Sequence, residues 1–188
     1  PTAACVDCAP GSTTNALSGG AATTCTACAA GQYSAVSTTA CRVCPAGFQT
    51  DTLGAVSGTS CTACVAGQSS AVSTDACAEC VAGQYQGSSG QSDCLDCRAG
   101  SVTDTLDGSG AVSCIACVAG QYSASSTLAC ELCLAGSVTN ALAATGATTC
   151  TDCGAGQYSS SSTVSCAVCP GGFVTDTLAS DGATTCTA

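Results

Sequence analysis

The residues whose type and spacing could do chemistry are the cysteines: 21 in 188, all but one of them in ten Cys-x-x-Cys pairs. Three chemistries use such pairs. Four thiolates from two pairs make a tetrahedral zinc site, and spacings of twelve to sixteen residues between pairs lie near the usual zinc signature. One pair with a depressed thiol pKa can carry out disulfide exchange. Two cysteines from different pairs can form a structural cross-link. Zinc is disfavoured because the pairs form a uniform ladder in which no two stand apart as a unit, and because almost no basic residue is present to offset thiolate charge. Redox catalysis is weaker still, since ten like motifs without a flanking βαβ pattern do not single out one reactive site. Structural disulfides are the reading adopted, with no cofactor and no metal.

Other chemistry has little to build on. With no His and no Lys, a general base would have to be a carboxylate, and the twelve acidic residues are scattered one or two per spacer. No catalytic residue is nominated, and the protein is read as a non-enzyme. Asp104 and Asp107 with Gly108 could offer oxygen ligands to calcium, but no ordered acidic loop of the known type surrounds them, and a surface turn is the expected role. Neither Asn15 nor Asn140 begins an Asn-x-Ser/Thr sequon.

Composition sets the class. Hydrophobic residues make up 46%, but Ala (35) and Cys (21) supply most of them, and only six residues are aromatic. Small side chains bury too little area, at about 25 cal/mol per Å², to offset a backbone entropy cost on the order of 1 to 2 kcal/mol per residue. Cross-links must contribute, and so high a cysteine content marks a disulfide scaffold in an oxidising compartment. Localisation is therefore expected to be extracellular or at the cell surface. Arg42 and Arg98 are the only basic residues against twelve acidic ones, which excludes binding nucleic acid through phosphates and attachment to anionic lipid through a basic patch. Mean hydropathy is +0.39 and residues 9–40 carry no charge, yet that stretch is dense in Gly, Ser, Thr and Gln, so no membrane span is expected.

What must position the cysteines is a repeat. A glycine stands three residues after every pair, from Gly11, Gly31 and Gly47 to Gly156 and Gly172, a regularity that calls for a positive φ or a close backbone approach. Spacers of sixteen and twelve residues alternate, giving a 36-residue period, with one slip where Cys80 and Cys94 enclose thirteen. The expected organisation is repeat 1 at 1–40, repeat 2 at 41–76, an inserted short half-repeat at 77–93, repeat 3 at 94–129, repeat 4 at 130–165 and a partial repeat 5 at 166–188. Short spacers mostly begin Gly-Gln-Tyr and end in Ser/Thr tracts. All five long ones carry Thr-[Asn/Asp]-[Ala/Thr]-Leu and, later, a glycine: Gly20, Gly58, Gly110, Gly146 or Gly182. The Asn or Asp suits a side-chain-capped turn and the glycine a second bend. Each spacer reads as a hairpin or compact loop, with a lone Tyr, Phe or Leu covering the neighbouring disulfide. The expected fold class is small and disulfide-rich: loop and short β-hairpin repeats with little helix and no large core, stacked as an elongated rod or solenoid of disulfide-closed half-repeats.

The slip also bears on connectivity. If bridges linked adjacent pairs in parallel, one extra half-repeat would change which spacer is enclosed for the rest of the chain. If each spacer is closed by its own bridge, an extra half-repeat merely adds a rung. The expected ladder is therefore Cys8 to Cys25, Cys28 to Cys41, Cys44 to Cys61, Cys64 to Cys77, Cys80 to Cys94, Cys97 to Cys114, Cys117 to Cys130, Cys133 to Cys150, Cys153 to Cys166 and Cys169 to Cys186. Cys5 is left for a partner upstream, as if the chain were cut from a longer array.

The pattern C-x-x-C-x-x-G-x-[Tyr/Phe], as in Cys28–Tyr33, Cys80–Tyr85 and Cys117–Tyr122, resembles the ephrin-receptor-like cysteine-rich repeats. More loosely it is similar to tumour necrosis factor receptor modules and to the cysteine-rich immobilisation antigens of ciliates. Proline follows the second cysteine only at Pro45 and Pro170, and aromatic and charged residues are scarcer than in receptor ectodomains. The expectation is thus a structural extracellular protein, a stalk, surface coat or filament of a eukaryotic microbe, self-associating into a fibre or coat. The alternative is a receptor or adhesin ectodomain with a protein partner. O-linked glycans are expected on the Ser/Thr tracts of the short spacers: Ser37, Thr38 and Thr39; Ser125, Ser126 and Thr127; Ser159, Ser160, Ser161, Ser162 and Thr163.

Overall fold

A computed structural model describes residues 7–17, 20 and 22–188; Cys5 lies outside them. Among the described residues there is no helix and no closed sheet, only two-stranded antiparallel sheets whose strands are two or three residues long. Four long spacers give three-residue pairings, such as Ser101–Thr103 against Cys114–Ala116; the last long spacer and the short ones give two-residue pairings, such as Val174–Thr175 against Cys186–Thr187 and Gln121–Tyr122 against Glu131–Leu132. An isolated hairpin of this size is not stable in water, so other forces must hold the backbone.

Two compact units are present, Pro1–Cys80 with Gln86–Leu95, and Val81–Tyr85 with Asp96–Ala188. Inside each, half-repeats are joined by backbone hydrogen bonds that recur with the sequence period. The glycine after a pair ends a tight turn, as where Gln32 N donates to Ala29 O (2.9 Å) and Gly31 has φ 74°. Its amide in a long spacer donates to the next half-repeat, Gly100 N to Ser123 O and Gly136 N to Ser159 O, both 2.8 Å. The following half-repeat then closes back, as Gly146 N donates to Cys117 O and Gly182 N to Cys153 O. In the first unit, Gly11 N to Ser34 O and Ser57 N to Cys28 O repeat the scheme. Within each unit a half-repeat is thus bonded to the next.

The core is made of cysteines and small residues. Cys28, Cys64, Cys117 and Cys153 are almost wholly buried, with Ala111, Ala147 and Ala183 beside the short-spacer strands. Thr50 is 0% exposed, and Thr103, Thr139 and Thr175 are nearly so. Of the leucines expected to cover the bridges, Leu17, Leu142 and Leu178 are exposed, Leu178 at 70%, and Leu53 and Leu106 are half-buried. Their place in the motif has a backbone reason. Leu53, Leu106, Leu142 and Leu178 have φ between 49° and 56°, which turns each carbonyl toward the buried threonine three residues earlier. Thr50 Oγ1 donates to Leu53 O at 3.0 Å and Thr103 Oγ1 to Leu106 O at 2.8 Å.

The later glycine of the long spacer needs one correction of register. Gly110, Gly146 and Gly182 have positive φ, but in the second long spacer it is Ser57, at φ 68°, that takes this conformation. Gly58 instead corresponds to Ala147 and Ala183, since Tyr33 bridges Gly58 as Tyr122 bridges Ala147 and Tyr158 bridges Ala183.

Candidate functional site

The chemistry-bearing residues are distributed along the chain, and each copy is turned toward its own half-repeat. The structure joins Cys8 to Cys25, Cys28 to Cys41, Cys44 to Cys61, Cys64 to Cys77 and Cys80 to Cys94. It also joins Cys97 to Cys114, Cys117 to Cys130, Cys133 to Cys150, Cys153 to Cys166 and Cys169 to Cys186. Each bridged pair closes one hairpin, with Cα atoms 5.5 to 5.8 Å apart, inside the range a disulfide spans. Among the described residues no group of three or more His, Cys, Asp or Glu is placed to hold a metal ion.

The Asn or Asp of the long spacers does not cap a local turn. It reaches eight and nine residues ahead and braces the loop from inside. Asn140 Oδ1 accepts from the amides of Thr148 and Thr149 while its Nδ2 donates to Thr148 Oγ1 (2.8 Å). Asn15 does the same with Thr23 and Thr24. Asp51 accepts from Thr59 N (2.8 Å), Thr59 Oγ1 and Ser60 N, and Asp176 from Thr184 N and Oγ1. Asp104, a calcium candidate by sequence, is engaged with Val112 N at 3.1 Å; Asp107 is exposed on the neighbouring turn.

The threonine hydroxyls and amides facing Asp51 and Asp176 hold both carboxyls below the ordinary range, because each donor favours the ionised form. A folded-state pKa below the unfolded value, about 3.9, adds stability above that value and loses it as pH falls through the folded pKa. Since Asn15 and Asn140 make the same brace without a charge, Asp51→Asn with Asp176→Asn is expected to fold normally and to flatten the fall of the unfolding midpoint as pH drops below about 4. Parallel acid limbs in the two proteins would contradict this. At the other end of the scale, Tyr122 Oη donates to Glu131 Oε2 at 2.9 Å, and this bond to a carboxylate, with its charge, raises the phenol pKa.

The Ser/Thr tracts divide by environment. Thr38, Thr39 and Ser160 are exposed; Ser37, Ser125, Ser126, Thr127, Ser161 and Thr163 are half-buried. Ser159 and Ser162 are buried. Ser159 Oγ donates to Ser161 O and Val164 O, closing its own loop, as Ser34, Ser70 and Ser123 do in theirs. Sequence reasoning took Ser159 as part of a glycan tract; the signal that it is structural is its fixed place directly after Gly-Gln-Tyr. Ser126 and Thr127, and Ser162 and Thr163, pack over Gly83 and Gly120 two half-repeats earlier.

The exposed large aliphatic residues recur with the repeat. Val43, Leu132 and Val168 occupy one repeat position and Val65, Val81 and Val118 another, all more than half exposed. Arg42 and Arg98 are also exposed. No helix among the described residues is long and apolar enough to cross a membrane.

Two stretches, residues 16–61 and 67–109, match the family model described as tyrosine-protein kinase ephrin type A/B receptor-like. No curated protein matches the chain. The matched residues contain the whole of half-repeats 28–41, 44–61 and 80–94, each closed by its own disulfide, and parts of 8–25, 64–77 and 97–114.

Proposed function

We propose, taking residues 16–61 and 67–109 as ephrin-receptor-like cysteine-rich repeats, that the chain is a non-catalytic extracellular structural protein forming part of a stalk, coat or filament. One observation carries this reading: the cysteines, the Asn or Asp, and the Thr and Ser that recur with the repeat close their own half-repeats, and large aliphatic residues recur on the exposed surface. Cysteines form bridges, Asn and Asp brace loops, and Thr and Ser hydroxyls hold carbonyls. A surface that repeats every 36 residues offers many equal weak contacts. The exposed Val43, Leu132 and Val168, which share one repeat position, in a chain with only fourteen charged residues, favour contact between copies, because little charge opposes it. O-linked glycans belong in this reading at Thr38, Thr39 and Ser160, the exposed hydroxyls of the tracts, where they would leave these aliphatic residues open.

The match to a family named for a receptor favours a second reading, an ectodomain that binds a partner protein. Sedimentation over a range of concentrations, on native material and after removal of glycans, separates the two. Reversible self-association that Val43→Asp with Leu132→Asp and Val168→Asp weakens supports the structural role. A strict monomer at high concentration, with unmodified hydroxyls by glycopeptide mapping, refutes it and leaves the receptor reading.

A further inference from the structure

The half-repeat 80–94, where the alternation of spacers slips, is neither a short nor a long one. Its first half has the short sequence: Val-Ala-Gly-Gln-Tyr at 81–85 is identical to 118–122. In the second unit this half makes short-type contacts. Tyr85 forms a parallel bridge to Ala111, as Tyr122 does to Ala147. A Cβ on Gly83 would stand 2.8 Å from Ser126 Oγ and 3.4 Å from Thr127, as one on Gly120 would meet Ser162 and Thr163.

The second half behaves differently. Gly90 lies four residues before its closing cysteine, the place of Ser57, Gly110, Gly146 and Gly182 in long half-repeats, and shares their positive φ at 73°. In the first unit it makes the contacts of a long half-repeat. Gly90 N donates to Cys64 O at 2.8 Å, as Gly146 N does to Cys117 O; Ser70 N donates to Gln91 O, as Ser123 N does to Ala147 O. The carbonyl of Gly90 sits where a Cβ on Gly47 would be, 2.2 Å away, as that of Gly146 sits at Gly100. Short half-repeats carry Ser73, Ser126 or Ser162 at this place, without positive φ.

One further substitution fits the shorter loop. Gln86 replaces the buried serine that follows Tyr in short spacers, is itself buried, and spans the loop by donating from Nε2 to Asp93 O at 2.8 Å. Phe48, at the position held by Ser12, Ser101 and Ser137 in three other long spacers and by Phe173 in the last, places its ring 3.3 Å from the Cβ position of Gly90.

We propose that residues 80–94 are a hybrid half-repeat, short-type in the first half and long-type in the second, which at the slip in alternation seats a long-type carbonyl at Gly47 and a short-type glycine beneath Ser126. The inference is independent of what the array is used for. It is tested by replacing residues 86–93 with 123–129, which turns the hybrid into a true short half-repeat, and reading amide exchange residue by residue. The Ser70 amide is expected to exchange faster by roughly tenfold or more, as for a lost backbone hydrogen bond, while Thr139 keeps its rate. An unchanged Ser70 rate overturns the proposal. Because the replacement could prevent folding, a second variant deletes residues 78–94, joining Cys77 to Leu95 so that a Cys-x-x-Cys pair is kept and strict alternation is restored. It is expected to oxidise to nine bridges and fold; failure to do so also overturns the proposal.

Discussion

Reduction of the ten bridges is expected to unfold the whole chain at room temperature without denaturant. Strands of two or three residues cannot persist alone, and the most buried side chains are the cysteines themselves, with Ala and Thr around them. A core of this kind disappears when its sulfurs are separated. In the chain-entropy model each loop of thirteen to seventeen residues is worth about 3 kcal/mol. Removing one interior bridge, by Cys117→Ala with Cys130→Ala, is therefore expected to cost about 3 kcal/mol and to loosen neighbouring half-repeats through the bonds from Gly100 N to Ser123 O and Gly146 N to Cys117 O. Circular dichroism with and without a thiol reductant checks the first part, and non-reducing peptide mapping the pairing, with Cys8 expected to travel with Cys25 and Cys153 with Cys166. A chelator is expected to change nothing. Retention of structure after full reduction, or a fold lost to the chelator, would show that sulfur bridges are not what holds the chain.

The repeat, its phase slip and the absence of any large apolar core could be read from cysteine and glycine spacing, because those two residue types impose strict local geometry. The role of Thr50, Thr103, Thr139 and Thr175 could not, though the motif containing them was visible. A threonine conserved in pattern looks like a turn residue, and only the positive φ of the leucine three places on shows that its hydroxyl is needed for a buried carbonyl. Leu53 and its counterparts misled for the same reason: an aliphatic residue in a polar loop suggests a small core, whereas here the backbone conformation matters and the side chain of Leu178 faces solvent. Ser57 and Gly58 show a related limit. Sequence aligned the glycine, but the hydrogen bond to Cys28 O fixes the register on the residue before it. The hybrid nature of 80–94 was half legible, since Gly90 keeps its distance from the closing cysteine even in the shortened loop.

Glycine seats give the sharpest test of packing between half-repeats. Gly100 and Gly136 have φ of 81° and 87°, and a Cβ on either would lie 2.0 to 2.1 Å from the carbonyl oxygen of Gly146 or Gly182. That oxygen belongs to backbone held by a bond from Gly146 N to Cys117 O or Gly182 N to Cys153 O, so it cannot swing aside as a side chain would. Gly156 and Gly172 have the same backbone conformation, φ 78° and 89°, but open space around the Cβ position. Alanine at any of the four incurs left-handed strain of about 1 to 2 kcal/mol. At Gly100 and Gly136 it must also push two half-repeats apart, an overpacking cost of about 1 to 3 kcal/mol more. Gly100→Ala and Gly136→Ala are thus expected to lose about 3 to 4 kcal/mol in denaturant unfolding with the bridges intact, against about 1 to 2 for Gly156→Ala and Gly172→Ala. Amide exchange should quicken at Gly146 in the Gly100→Ala protein and at Gly182 in the Gly136→Ala protein, since those amides lie across the displaced contact. Equal losses at all four positions would mean that the glycines serve their own turns alone, and that the close approach of one half-repeat to the next but one contributes nothing to stability.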